Sequence, residues 1–434
     1  MDDLLIRNGS IWNGTRFEVS DVSVQDGKIV AIGTNAGPAQ TVFEASGRFV
    51  LPGFIDPHVH FSLDLGKLHS ADDFRSGSVA AAFGGVTTFI DFLAPTDNEN
   101  DLERAYYARL IEASSSVVDY RFHATIKHPK GDLEAYVKKM LSLGMTTLKL
   151  FTTYSDSGRR TDDDQIERLL ALSERYGFTI LAHIEDDSMI TMKDFYVPAD
   201  LPKSRPAAGE TAEALKLAGF VEKHGGTLYM VHLSSGTTLD RLRERYPHLL
   251  NRKFFIESCP HYFAFTEDVL SRADGCLYTM SPALRTAAER DRLCAGFADV
   301  YAIGTDHCPF RREEKEHDRL RDIPMGIGGV EHAYEVLSAR FGAAVIPKMT
   351  EHPAKINGLS DRKGTIAIGH DADFAIVRSV KERIVSDHSH GHTVWTGTDV
   401  DARIEATILR GAFAVKDGRF LGTKGQYVGR KPER

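Results

Sequence analysis

Four cysteines in 434 residues (Cys259, Cys276, Cys294 and Cys308), widely spaced and without a CxxC pair, exclude a disulfide framework and a cysteine-ligated zinc site. No apolar run approaches the roughly 20 residues that span a bilayer. Basic charge is not in excess: the formal net charge of −8 offers no field for nucleic acid or for an anionic membrane. The first residues, Met1 to Ile6, lack the basic and long apolar stretches of a secretion signal, so a cytoplasmic location is expected. Repeats, low-complexity segments and linker-like stretches are also missing. What remains is ordinary globular composition, 42% hydrophobic and 26% charged, with 37 glycines, enough for many tight βα turns. The length exceeds one ordinary core, so a large barrel-type domain plus a smaller one is expected.

Both ends of the chain read as short strands broken by turn signals. Asp21 to Val24 and Lys28 to Ile32 flank Asp26-Gly27 as a tight β-hairpin. Asp373 to Val377 and Ile404 to Leu409 are strand-like, and Ala412 to Arg419 forms a further hairpin pattern. These ends predict one small β-sandwich assembled from residues 1–50 and 366–434.

The middle, residues 51–365, alternates strand and helix patterns. Apolar or β-branched runs, the first spanning Phe49 to Ile55, end near His58, Asp91, Thr125, Phe151, His183, His232, Ser258 and Thr305. Between them lie helices such as the one opened by Thr161 to Asp164, carrying Ile166, Leu169, Leu170 and Ser173 at helical spacing and stopped by Gly177. Eight βα units predict an α/β fold, a (β/α)8 TIM barrel, whose chemistry sits at the C-terminal ends of the strands.

Those ends carry a distinctive set. His58 and His60, at i and i+2 on an extended segment, point to one side and can reach one ion. His183, His232 and Asp306 end the fifth, sixth and eighth strands, and Lys149 sits inside the fourth, Thr146 to Tyr154. Singly, each histidine is more often a satisfied polar residue than a ligand, and a strand lysine usually snorkels to solvent. Together, imidazole and carboxylate suit zinc, with manganese, iron or cobalt permitted. Four histidines exceed the needs of one open site and point to two metals about 3.5–4 Å apart. An ammonium beside two divalent cations is repelled, whereas Lys149 carrying CO2 as a carbamate would bridge them.

The chain resembles the cyclic amidohydrolases of the amidohydrolase superfamily, in particular hydantoinases and dihydropyrimidinases, with allantoinases and dihydroorotases as cousins. The motifs are Gly53 to His60, Ser70 to Phe74, Ala81 to Phe92, Gly304 to His307, Pro353 to Lys355, Lys363 to Gly369 and Asp371 to Asp373, spread over essentially the whole chain. The resemblance implies that Lys149 is an N6-carboxylysine bridging two divalent ions, most simply zinc. His58, His60 and Asp306 would hold one ion, and His183 and His232 the other. It further implies a hydroxide shared by the metals as nucleophile, with Asp306 moving its proton to the leaving ring nitrogen. Tyr154 would donate to the developing oxyanion, and Ser281 and Met325 would contact the substrate. A homodimer or homotetramer is implied as well.

The residues after His60 narrow the choice of ring. Dihydroorotases place an arginine two residues on, where this chain has Phe61-Ser62, which argues against that substrate. The expected reaction is hydrolysis of a dihydropyrimidine or hydantoin to an N-carbamoyl amino acid, with allantoinase as the alternative and a dihydroorotase-like cyclic amidohydrolase ranked after it. Three departures bear on that choice: Ala283 in a run where hydantoinases have a second proline, His261 where they commonly have glutamine and allantoinases have histidine, and Met325 where they usually have asparagine. A metal-free scaffold would have lost ligands that are all present here, and deaminases typically lack the lysine and use one metal. The loops Phe61 to Asp72 and Ser155 to Asp164 are expected to form the substrate lid. The histidine-rich stretch Asp387 to His392 and the mixed-charge run Arg311 to Arg319 read as solvated loops.

Overall fold

The computed structural model describes residues 1–34 and 37–429, so residues 35, 36 and 430–434 of the expected terminal unit lie outside the described residues. Eight parallel strands form the barrel: β1 (Phe54–Val59), β2 (Val86–Phe92), β3 (Asp119–Thr125), β4 (Thr147–Phe151), β5 (Thr179–His183), β6 (Thr227–Met230), β7 (Phe254–Ser258) and β8 (Ala302–Ile303). Each pairs with its sequence neighbours. Helices cover the outside, so strands such as β1, β2 and β3 are buried at every residue, including polar ones such as Asp56, Asp91, Arg121 and His123. The helix Asp163–Tyr176 starts on a capping box between Asp162 and Gln165, buries Ile166, Leu169, Leu170 and Ser173, and stops at left-handed Gly177. The barrel closes by backbone hydrogen bonds beyond the end of the two-residue β8. Asp306 N–H donates to His58 O at 2.9 Å, and His60 N–H donates to His307 O at 2.9 Å.

The termini form a separate nine-stranded sheet. The hairpin at Asp26-Gly27 joins strands Phe17–Gln25 and Lys28–Gly33, and strands Phe374–Arg383 and Asp399–Leu409 pair antiparallel from the other end of the chain. Residues from both ends, including Leu4, Ile6, Val22, Phe374, Ile376 and Ile408, pack into one apolar cluster. The expected single strand Phe49 to Ile55 is in fact two. Phe49–Pro52 pairs with Phe374–Arg383 in the terminal sheet, and only after Gly53 does the chain enter the barrel. A Cβ on Gly53 would lie 2.2 Å from Thr87 Oγ1, so the crossing from sheet to barrel needs a residue without one. Among the described residues no helix is long and apolar enough to cross a membrane.

Beneath the barrel, at the N-terminal end of β3, a buried ionic cluster ties the two units together. Lys363 Nζ lies 2.8 Å from Asp119, 2.5 Å from Asp373 and 3.2 Å from Asp371, and Lys28 and Arg362 also reach Asp371. The three carboxylates are close enough to hold a cation, and the Lys363 ammonium already lies among them. Removing one partner of a buried ion pair leaves the others uncompensated, at a cost of about 3–5 kcal/mol. Lys363→Met is therefore expected to lower the unfolding free energy in guanidinium by that order; a change below about 1 kcal/mol would contradict the clamp.

Candidate metal centre and active site

Three groups converge where β8 closes on β1. Asp306 Oδ1 lies 3.2 Å from His58 Nε2 and 3.0 Å from His60 Nε2, and the two ring nitrogens are 3.3 Å apart. Burial lowers the His58 imidazole, but Glu257 and Asp306 outweigh it and lift it to about 9. Burial alone would raise the Asp306 carboxyl; the His58 and His60 imidazoles win and hold it far below the usual carboxylate range.

A chain of rings extends this group across the strand ends. His232 lies 5.5 Å from His58 and 4.6 Å from His183, centroid to centroid. His183 Nε2 is held by Glu185 at 2.6 Å, and Arg205 fixes Glu185 in turn, which leaves His183 Nδ1 as the nitrogen that can take a ligand. Lys149 is buried, its Nζ 5.2 Å from the centre of the Phe92 ring, which in turn packs against His58 and His60. In register it faces Leu181, two residues before His183, so it points into the same barrel layer. Burial pulls the ammonium down to about 8, although Asp306 and Glu257 favour its charged form. Thus the structure brings His58, His60, Lys149, His183, His232 and Asp306 to one end of the barrel.

These residues suit a divalent metal on physical grounds. Among the described residues His232 Nδ1 is buried with no hydrogen-bond partner, a costly arrangement in a packed interior. His58, His60 and Asp306 offer ligand atoms all within 4.8 Å of one another. His58 Nδ1 meets Glu257 Oε1 at 2.7 Å, the carboxylate–histidine contact that orients a metal-ligating imidazole.

Tyr154 stands over His183 at 5.1 Å, with its hydroxyl 3.0 Å from Ser281 Oγ and the Arg205 guanidinium 5.0 Å from its ring centre. Met325 packs, partly buried, against the barrel core; its neighbour Gly326 donates to Thr279 O at 3.0 Å, two residues before Ser281. Tyr154, His232 and Asp306 all adopt left-handed backbone, with φ of 69°, 42° and 50°. Such conformations cost about 1–3 kcal/mol each and gather at functional sites.

Several residues of the site escape the sequence reading. Glu257 is the main one: it binds His58, accepts from the Tyr229 hydroxyl at 2.9 Å and from His232 N–H at 3.2 Å. Its signal was a carboxylate two residues after Phe255, on the inward side of β7. The histidine-rich stretch is a solvated loop, as expected, but it is not remote from the strand ends. Ser389 Oγ–H and His390 N–H donate to buried Asp72 at 2.6 and 3.0 Å, and Asp72 meets His307 Nε2 at 3.0 Å, beside Asp306. Because His307 Nδ1 accepts from the Gly329 and Val330 amides, its proton sits on Nε2 and points at Asp72.

The arrangement is that of a (β/α)8-barrel enzyme with its chemistry on the strand ends. Residues 49–327 and 339–414 match the Amidohydrolase family, and the chain belongs to it. It is similar to a D-phenylhydantoinase of Escherichia coli O81 (strain ED1a), 31% identical over 99% of this chain and 98% of that protein. Among solved structures, a D-hydantoinase from Bacillus sp. AR9 superimposes with a TM-score of 0.94 at 28% identity over 100% of both chains. A D-hydantoinase (dihydropyrimidinase) from Thermus sp. gives 0.91 at 29% identity over 99% of both.

If Glu257 orients His58, Glu257→Gln weakens zinc binding about 10–100-fold. Titration calorimetry on the metal-stripped protein checks this, and an unchanged affinity would remove Glu257 from that role.

Proposed function

We propose that this chain opens the ring of a cyclic amide, a dihydropyrimidine such as 5,6-dihydrouracil or a hydantoin, to the N-carbamoyl amino acid. The observation that carries the reading is the convergence of Asp306 with His58 and His60 at the barrel's closing seam, in a chain similar from end to end to hydantoinases. His58, His60 and Asp306 would hold one divalent ion, His183 and His232 the second, and Lys149, carboxylated by CO2, both. In that carboxylation the neutral amine nitrogen bonds the CO2 carbon and releases a proton, so the lysine becomes an anion that suits two cations. Zinc fits the imidazole and carboxylate donors. When bound, the ions polarise the ring carbonyl and bring the pKa of water near 7.

The chain's own groups do the rest. Asp306, held as a carboxylate by its imidazole neighbours, takes the proton of the attacking water and returns it to the ring nitrogen as the C–N bond breaks. Tyr154 aims a hydroxyl at the oxygen on which charge develops; burial raises its pKa, so it remains a donor. Ser281, bonded to that hydroxyl, and the backbone at Met325 would grip the ring amide. Allantoin is the second reading, favoured by His261. Among the described residues both nitrogens of this buried imidazole lack partners, and Asp306 and His58 act on it, so it could answer an additional polar ring substituent. The same reading takes the chain as a dimer or tetramer of identical copies acting in the cytoplasm.

The test is ring opening of dihydrouracil, hydantoin and allantoin in parallel by zinc- and bicarbonate-loaded protein. Turnover of dihydrouracil or hydantoin well above allantoin is expected, and silence on all three would defeat the proposal. Lys149→Ala should abolish the reaction, and Tyr154→Phe should lower kcat about 10²–10³-fold.

A further inference from the structure

Lys315 lies in the middle of the mixed-charge run, on the short helix Arg312–Lys315, yet it is 1% exposed. Its three N–H groups go to three backbone carbonyls: Thr279 at 2.9 Å, Pro324 at 3.1 Å and Gly326 at 2.7 Å. Among the described residues the titratable groups acting on it are the thiols of Cys308 and Cys276, not a carboxylate, and burial pulls the ammonium down to about 7. A buried amine with no counter-charge is a costly way to fill space, since an apolar side chain would fill it without desolvating a charge.

The position of the three carbonyls accounts for that cost. Pro324 and Gly326 flank Met325, while Thr279 lies two residues before Ser281, which meets the Tyr154 hydroxyl. The two segments also share the hydrogen bond from Gly326 N–H to Thr279 O. Gly326 has φ of 148°, and an added Cβ would lie 2.3 Å from Cys308 O, so its backbone is pressed against the turn that follows Asp306. Without the ammonium, Pro324 O and Gly326 O lose a buried donor, and the loop carrying Met325 loses its tie to the segment carrying Ser281.

We propose that Lys315 is a positioning residue for substrate: by tying the Met325 loop to the Ser281 segment it sets the width of the slot that grips the ring amide. The inference rests on the proposed function, through Ser281 and Met325 as ring contacts. Lys315 touches neither Asp306 nor the four histidines among the described residues, so its removal acts on binding rather than on bond cleavage.

Two variants test it in the metal-loaded enzyme. Lys315→Met keeps the stem and removes every donor; Lys315→Gln keeps an amide donor. For Lys315→Met we expect KM to rise about tenfold or more, kcat to stay within about threefold and bound metal to be unchanged, with Lys315→Gln in between. Hydrogen exchange at the amides of residues 325–327 should quicken in the same order. A wild-type KM in Lys315→Met, or a loss confined to kcat, overturns the role. If Lys315→Met does not fold, Lys315→Gln carries the test alone by the same criteria. A wild-type enzyme silent on all three rings defeats the proposed function and this role with it, whereas an active wild type with unchanged variants defeats the role of Lys315 alone.

Discussion

The closing seam of the barrel is the constraint on which the site depends. β8 contributes only Ala302–Ile303, so the ring of strands is completed by residues just beyond it. Asp306 N–H to His58 O and His60 N–H to His307 O are the backbone bonds that join the last strand to the first. Buried Asp56 strengthens the seam by accepting from Thr305 N–H at 3.1 Å and from its hydroxyl at 2.5 Å. The residues that close the fold are therefore those whose side chains meet above it. Any register other than this one would separate Asp306 from the two histidines, and the left-handed backbone at Asp306 turns its side chain inward once the seam is made.

Around the seam the interior carries charge that an apolar core would avoid, and each charge is answered. Glu257 answers His58, Arg205 answers Glu185, and Asp72 receives His307, Ser389 and the His390 amide. Below the barrel Lys363 answers three aspartates. Buried ion pairs contribute little net stability, because desolvation offsets their attraction. Their value is geometric: each pair leaves a side chain with one satisfied arrangement, and on the strand-end face that arrangement aims nitrogens and carboxylates at a common space. Lys149 is buried there with no carboxylate in salt-bridge contact, and His232 Nδ1 has no hydrogen-bond partner among the described residues; both lie in that space.

The sequence made the barrel legible because parallel strands buried on both faces are short apolar runs, and a polar residue at the end of such a run stands out. His58, His183 and Asp306 were visible for that reason. Glu257 was not, since its inward direction depends on the alternation within β7, and a carboxylate in a strand has no local signal for its partner. Phe49 to Ile55 reads as one strand because the break at Gly53 comes from a close approach to Thr87, distant in sequence. Long-range packing also qualifies two readings of composition. The stretch Asp387 to His392 joins two strands of the terminal sheet yet reaches Asp72, and Lys315, surrounded in sequence by exposed charges, turns inward to carbonyls that only the folded loop assembles.

The proposed chemistry turns on Lys149 being an anionic bridge between two metals rather than a buried ammonium. The most direct measurement is metal stoichiometry together with ¹³C NMR of protein reconstituted with zinc and ¹³C-bicarbonate. Two zinc ions per chain and one labelled carbamate carbon, both lost in Lys149→Ala, are the predicted result. One zinc per chain with no label on the lysine would contradict it.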